Sequence, residues 1–196
     1  MNRILYTAQE ALIAFFLLIP IFYYLNKRCF IGSRQTLLYL LFATYMTGVY
    51  AVVGLPDIAY FRFRPNINLE PFLYMFSDLS NTVLNVVLFL PLGLFLPILW
   101  EDFSSLWKTV LVGFLTSLTI ELLQIFTFRA TDINDLMTNT FGTLIGFFFG
   151  LTVRKYLHPL EPEKKRSHIP MVFGIAFLTM FFLHPFFSSV IYRMFS

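Results

Sequence analysis

The sequence predicts an all-α integral membrane protein, a transmembrane bundle of about six helices. Hydrophobic residues make up 58% and charged residues 13% of the 196 positions, whereas soluble domains are roughly 45–50% apolar and about 25% charged. Uncharged apolar runs long enough to cross a hydrocarbon core of about 30 Å recur along the whole chain. No room is left for a separate soluble domain, so we expect one membrane domain over residues 1–196.

The spans follow from these runs in chain order. The first is the weakest because Glu10 shortens it, so five spans are an alternative. The run Ala11–Leu25 is similar to a signal peptide, but Lys27 and Arg28 follow it in place of a small-residue cleavage site, and we interpret it as an uncleaved anchor. The predicted spans are about 7–25, 35–56, 79–100, 108–128, 134–153 and 169–192.

The distribution of lysine and arginine predicts the orientation of the helices, because cytoplasmic loops are enriched in these residues. With the amino terminus outside, nine of the 14 lie in inner segments: Lys27, Arg28, Arg34, Lys108, Arg154, Lys155, Lys164, Lys165 and Arg166. The outer segments hold the other five: Arg3, Arg62, Arg64, Arg129 and Arg193. The linkers 57–78 and 129–133 are therefore predicted to lie on the outer face.

Composition also limits which partners and cofactors we expect the chain to bind. A pI near 9.0 is compatible with nucleic-acid binding, but the cationic residues are divided among short loops, so we expect no nucleic-acid partner. Cys29 is the only cysteine and has no neighbouring metal ligands, so we expect no metal and no cofactor. His158 and His168 are interpreted as solvated loop residues, and His184 as isolated from any predicted ligand.

The candidate site begins with Glu121, an ionisable residue inside a predicted span. A charge at mid-helix costs about 2.5–3.5 kcal/mol on insertion scales, so such a residue suggests a functional site. Glu121 lies roughly 10 Å below the outer end of helix four, at 1.5 Å of rise per residue. Gln124 lies one turn above it on the same face.

Helix five and helix three continue this polar face. Asp132, Asp135 and Asn139 are spaced i, i+3 and i+7 and lie on one side of helix five, with Asn139 at about the depth of Glu121. Two asparagines spaced i and i+4 on helix three supply a third polar edge. The predicted ligand-binding residues are Asn81, Asn85, Glu121, Gln124, Arg129, Asp132, Asp135 and Asn139.

On helices four and five, small residues lie on the inner-leaflet side of the polar residues. Gly142, Gly146 and Gly150 recur at every fourth position of helix five, and Gly113 and Ser117 do so on helix four. Such patterns let helix backbones approach closely. We predict that helices four and five pack through these residues in the inner leaflet and open into a polar site in the outer leaflet.

The polar residues also have structural interpretations. Asp132 can cap the amino terminus of helix five, and Asp135 can be an acidic first-turn residue favoured by the helix dipole. Arg129 can be an interfacial anchor or form an ion pair with Glu121. The asparagines can form interhelical hydrogen bonds of purely structural value.

The positions combine into a specific pattern. Linker 57–78 contains Asn68-Leu-Glu-Pro71-Phe72, and helix three contains Asn81, Asn85, Phe89, Pro91 and Gly93. The remainder of the pattern is Glu121-x-x-Gln124, followed by Arg129-x-x-Asp132-x-x-Asp135-x-x-x-Asn139-x-x-Gly142-x-x-x-Gly146. Together these resemble the VanZ-like family. The resemblance covers about residues 37–154, and residues 156–196, an extra loop and a carboxy-terminal span, lie outside it.

This resemblance implies a multi-pass protein of the bacterial plasma membrane. The best-known family member gives low-level resistance to teicoplanin and related lipoglycopeptides without altering the peptidoglycan precursor. The expected partners are therefore membrane lipid and a lipoglycopeptide or lipid-linked cell-envelope component. An outer-leaflet site fits a ligand with a lipid tail in the membrane and a polar head outside.

Three functions stay open. The first is non-catalytic binding, in which the tail lies against Phe-rich helices and Arg129, Asp132 and Glu121 contact the head. The second is an enzyme acting on a lipid-linked head group, with Glu121 as general base; because no Ser, Cys or His nucleophile set and no metal spacing accompany it, we assign no catalytic residues. The third is an ion-coupled carrier that uses the carboxylates, but the inner halves of helices four and five show no continuous polar path.

Overall fold

The computed structural model describes residues 3–30, 32–59, 61–72, 75, 78–127, 129–157 and 168–195. Within these residues six helical segments are long and apolar enough to cross a membrane, and the predicted fold class is confirmed. They are α1 (Arg3–Arg28), α2 (Ser33–Val53), α3 (Leu79–Leu99), α4 (Leu106–Gln124), α5 (Ile133–Tyr156) and a composite sixth span. The sixth span consists of α6 (Ile169–Leu178), a π-helical turn (Thr179–Leu183) and α7 (His184–Phe195).

Helix ends differ from the predicted ones by a few residues, for local reasons. α1 runs through Glu10, and so it is longer than expected. α2 ends at Val53 because Gly54 adopts a left-handed backbone conformation (φ 66°) and donates its N–H to Ala51. α4 ends at Gln124, four residues early, because the chain then enters a turn.

The chain divides into two compact units. One comprises Met1–Phe61 and Glu163–Ser196, and the other comprises Arg62–Pro162. The first unit contains α1, α2, α6, the π-helical turn and α7, with α1 and α6 both packed on α2. The second unit contains α3, α4 and α5, and all eight predicted ligand-binding residues lie on these helices or in the turn between α4 and α5.

Two histidines of the first unit differ from expectation. The ring of His168 packs edge-on against Phe30 (5.4 Å between ring centroids) and Tyr39 (5.9 Å), so it is not a solvated loop residue. His184 is only 5% exposed, and its Nε2 lies 3.1 Å from Ser188 Oγ. Burial inside an apolar helix requires a partner for the imidazole, which explains this pairing. His158, Lys164, Lys165 and Arg166, for which the sequence predicts positions in the inner loop, lie outside the described residues.

The sixth span is interrupted where the π-helical turn meets Pro185. Proline has no N–H to donate, so the carbonyl of Phe181 loses its usual helical partner. That oxygen instead accepts from the N–H of Ile58, at 3.2 Å. The interruption therefore fastens the segment that follows α2 to the sixth span. A cavity of about 220 Å³ lies beside it, lined in part by Tyr50 and His184.

Glycine packing in the second unit joins α3 to α5. A methyl group on any of the three α5 glycines would overlap a backbone carbonyl oxygen of α3, and the contacts follow a constant register: Gly142 with Val86, Gly146 with Leu90, and Gly150 with Leu94. The two helices cross the membrane in the same direction because the antiparallel α4 lies between them in the chain. Contacts this close permit Cα–H···O interactions along the whole seam.

This seam corrects the expectation that the α5 glycines pack against helix four. Each faces α3, and α4 meets α5 through the neighbouring positions instead. Gly113 lies against the side chain of Thr143, and Ser117 Oγ accepts from Asn139 Nδ2 at 2.9 Å. α5 therefore uses one face for α3 and an adjacent, partly polar face for α4.

Replacing Gly146 by alanine tests the α3–α5 seam. Gly→Ala normally stabilises a helix interior by about 1 kcal/mol, but here the methyl group meets backbone atoms that cannot give way. We expect Gly146→Ala to destabilise the purified protein by about 1–3 kcal/mol, measured as a lowered thermal-unfolding midpoint in detergent.

The matched control is Gly174→Ala, since Gly174 of α6 has no atom within 4 Å of the added methyl group. We expect its midpoint to stay unchanged or rise. Equal midpoints for the two variants would show that the seam is not closely packed.

Candidate polar site

The turn between α4 and α5 pairs with the segment that precedes α3. Strand β1 (Ile67–Asn68) lies parallel to strand β2 (Thr131–Asp132), with Ile67 opposite Thr131 and Asn68 opposite Asp132. The N–H of Thr131 also donates to the carbonyl of Asn66, at 2.8 Å. This two-residue ladder was not predicted. It brings the 57–78 linker against the amino terminus of α5.

Glu121 connects α4 to the start of α5. Its side chain is 4% exposed, and its Oε2 accepts from the N–H of Asp132 at 2.7 Å. Its backbone carbonyl accepts from Thr131 Oγ1 at 2.8 Å. The first N–H groups of a helix lack intrahelical partners and carry partial positive charge. A buried carboxylate at this point therefore has a structural partner in a backbone N–H.

Asp132 caps α5, in agreement with its structural interpretation. Its Oδ1 accepts from both the backbone N–H and the side-chain amide of Asn134, each at 2.8 Å. Its Oδ2 accepts from Asn68 Nδ2 at 3.1 Å. Both carboxylate oxygens are thus engaged, one within the helix terminus and one with the paired linker.

Asn134 is a site residue that sequence reasoning missed. It is 6% exposed; its Oδ1 accepts from the N–H of Phe72 at 2.6 Å, and its Nδ2 donates to the carbonyl of Glu70 at 3.1 Å. Phe72 has a positive φ of 63°, which is uncommon for a bulky residue. Asn134 therefore holds the Asn68–Phe72 element in an unusual conformation over α5.

Asp135 faces α3, where the sequence predicts that two asparagines form the third edge of the polar site. Its Oδ1 accepts from Asn85 Nδ2 at 2.6 Å, and Asn81 Nδ2 lies 3.5 Å away, at the limit of a hydrogen bond. Arg129 is near enough to interact electrostatically with the Asp135 carboxylate. The structure thus brings these four predicted residues to one place.

Asn139 and Gln124 occupy the two ends of the cluster. Asn139 meets Ser117, which places it one turn deeper than Glu121 and corrects the predicted equal depth. Its Oδ1 is buried and accepts no hydrogen bond. Gln124 is buried at the last residue of α4, where its carbonyl accepts from the N–H of Thr127 at 2.9 Å.

The cluster is a net-acidic hydrogen-bond network. Glu121, Asp132 and Asp135 interact electrostatically with one another, and the positive charge of Arg129 acts on Asp135. No group of three or more potential metal-ligating side chains occurs within the described part of the chain. The arrangement is suited to contacting a polar or cationic head group through hydrogen bonds and charge.

Comparisons with known proteins agree on one family. The family model described as VanZ/LLP1 matches residues 36–154. Protein VanZ of Enterococcus faecium is 33% identical over 121 residues, which cover 61% of this chain and 71% of that protein. No solved structure matches significantly.

Removing the Asn134 side chain should release the Asn68–Phe72 element. Asn134→Ala leaves the N–H of Phe72 without its acceptor, and a lost buried hydrogen bond is worth about 1–3 kcal/mol. We therefore expect amide hydrogen exchange at Phe72 to accelerate by roughly 5- to 150-fold. Mass spectrometry of the protein in detergent measures it.

Asn66→Ala serves as the control, because Asn66 contributes only its backbone carbonyl to the ladder. Its Phe72 amide should exchange at the wild-type rate. Slow exchange at Phe72 in the Asn134 variant would contradict the assigned anchoring role.

Proposed function

The chain belongs to the VanZ/LLP1 family, and from this we propose that it is a non-catalytic protein of the bacterial plasma membrane that binds lipid-tailed ligands. The predicted family resemblance is thereby confirmed. In the proposal, the polar site of α3, α4 and α5 opens to the outer leaflet and contacts the ligand's head group. Binding lowers susceptibility to teicoplanin-type lipoglycopeptides.

One observation carries the proposal: four separate chain segments converge their polar side chains at one membrane end of the bundle. They are the β1 segment, the start of α3, the end of α4 and the start of α5. Towards the other end, the seam between α3 and α5 is closed by glycine contacts. Structural hydrogen bonding accounts for each pair, but not for the gathering of three carboxylates that interact with one another.

Access to the site differs among its residues. Glu121 is buried, whereas Asp135 and Arg129 are half-buried and Asn81 is exposed. A head group would therefore meet the Asn81–Asp135–Arg129 side first. Glu121 would act from behind, through its charge and its hold on the backbone of Asp132.

Apolar surface for a lipid tail continues below the polar residues. Exposed side chains on α3 and α5 include Val83, Val87, Phe141, Phe148 and Phe149. In a membrane these side chains face acyl chains, and a ligand's tail can lie among them. The polar head of the same ligand would then reach the level of Asp135.

Substitutions that remove charge but keep hydrogen bonding test the proposal. Glu121→Gln retains an oxygen that can accept from Asp132, and Asp135→Asn retains one for Asn85. In a susceptible host expressing the chain, we expect wild-type protein to raise the inhibitory concentration of a teicoplanin-type lipoglycopeptide. Both variants should return it towards that of the empty-vector strain.

Two controls make the result specific. Glu70→Gln, the same chemical change at an exposed side chain of the β1 segment, should behave as wild type. A non-lipidated glycopeptide should show no protection from any form. Full protection by both charge variants at wild-type membrane levels, or equal protection against both drug types, would refute the proposal.

A further inference from the structure

Residues 62–71 alternate strictly between polar and apolar side chains. The even positions are Arg62, Arg64, Asn66, Asn68 and Glu70, and the odd positions are Phe63, Pro65, Ile67, Leu69 and Pro71. A period of two is that of an extended chain, in which successive side chains point to opposite faces. The pattern therefore predicts two distinct faces along this segment.

The backbone contacts agree with an extended chain over the first part of the segment. The N–H groups of Arg62 and Arg64 donate to Phe126 (3.0 Å) and Ile125 (2.8 Å) at the end of α4. The carbonyl of Asn66 then accepts from Thr131, and β1 continues into the ladder. Alternate residues thus use one edge of the strand, and that edge is fixed to the α4–α5 turn.

The apolar face of the segment is exposed along with the polar face, unlike the apolar face of a water-soluble strand. On the polar face Asn68 contacts Asp132, and the other polar side chains of the segment are exposed. The apolar Phe63 and Leu69 are 69% and 68% exposed, and Ile67 and Phe72 are also exposed. Strands on soluble proteins place their apolar face on the core and their polar face in water. An exposed apolar face on a segment held by backbone hydrogen bonds indicates an apolar surrounding.

We propose that residues 62–72 lie flat in the head-group layer of the membrane surface at which α4 ends, which the charge distribution predicts to be the outer one. The side chains of Phe63, Ile67, Leu69 and Phe72 enter the acyl boundary. Arg62 and Arg64 remain at the level of the lipid phosphates, which they attract by charge. The partner of this surface is anionic phospholipid of the protein's own membrane.

This inference rests on the geometry of the segment and not on the ligand of the polar site. It adds one consequence for that site. Asn68 contacts Asp132, and Asn134 holds the backbone of Glu70. Residues 62–72 therefore lie between the lipid surface and the carboxylates of the polar site.

Site-directed spin labelling tests the proposal on the full chain in phosphatidylglycerol vesicles. Cys29 is the only cysteine and is exposed, so Cys29→Ser provides the background. Single cysteines replace Phe63, Ile67 and Leu69 on one face and Arg64, Asn66 and Glu70 on the other. Each label's collision rate with oxygen is compared with that of a water-soluble nickel chelate.

Two further positions calibrate the scale. Phe148→Cys reports the lipid-facing side of α5, and Asp102→Cys reports an exposed turn between spans. We expect labels at 63, 67 and 69 to resemble the Phe148 reference and labels at 64, 66 and 70 to resemble the Asp102 reference. The proposal would be overturned if all six labels were exposed to water or if all six were exposed to lipid. It would also be overturned if lipid exposure did not alternate along the segment.

A separate measurement tests the role of the two arginines. With both Arg62→Gln and Arg64→Gln present, the label at position 67 should lie shallower in phosphatidylglycerol vesicles and be unchanged in phosphatidylcholine vesicles. Equal depth in phosphatidylglycerol, with and without the arginines, would overturn their assignment to lipid phosphate. All label positions are exposed, and a size-exclusion profile matching that of the parent establishes that each variant is folded.

Discussion

The hydrogen bond from the N–H of Asp132 to the carboxylate of Glu121 determines the arrangement of the polar end of the bundle. In a bilayer, a backbone group without an internal partner is costly, and the start of α5 exposes such groups near the membrane boundary. Glu121 satisfies one of them from α4, while Asp132 caps the next turn. With α5 fixed in this way, Asn134 can hold the linker and Asp135 can face α3.

The glycine contacts between α3 and α5 fix how these two helices are aligned along the membrane normal. Since Gly142 and Gly146 lie directly against α3 backbone, α3 and α5 cannot slide past each other without steric overlap. Nearer the amino terminus of α5, the same two helices place Asp135 Oδ1 2.6 Å from Asn85 Nδ2. The polar network and the apolar packing therefore depend on each other: the seam positions the Asp135 carboxylate, and the Asp132 cap determines where α5 begins.

The sequence was sufficient for properties that depend on periodicity. Apolar runs predicted the spans, and helical spacing grouped Asp135 with the helix-three asparagines. It was insufficient where contacts join distant segments. Nothing in the local pattern marks Asn134 as the partner of Phe72, which is 62 positions away. A small-residue repeat likewise shows that some backbone approaches closely but not which one, so the α5 glycines were assigned to α4 when they face α3.

The proposed function requires the polar network to open at the outer surface, and cysteine labelling in intact cells measures this orientation. In the Cys29→Ser background, Ala130→Cys places an exposed thiol in the α4–α5 turn, and Asp102→Cys places one in the turn between α3 and α4. A membrane-impermeant maleimide should label position 130 in intact cells and position 102 only after permeabilisation. The reverse pattern would place the network at the cytoplasmic surface and contradict the proposed function.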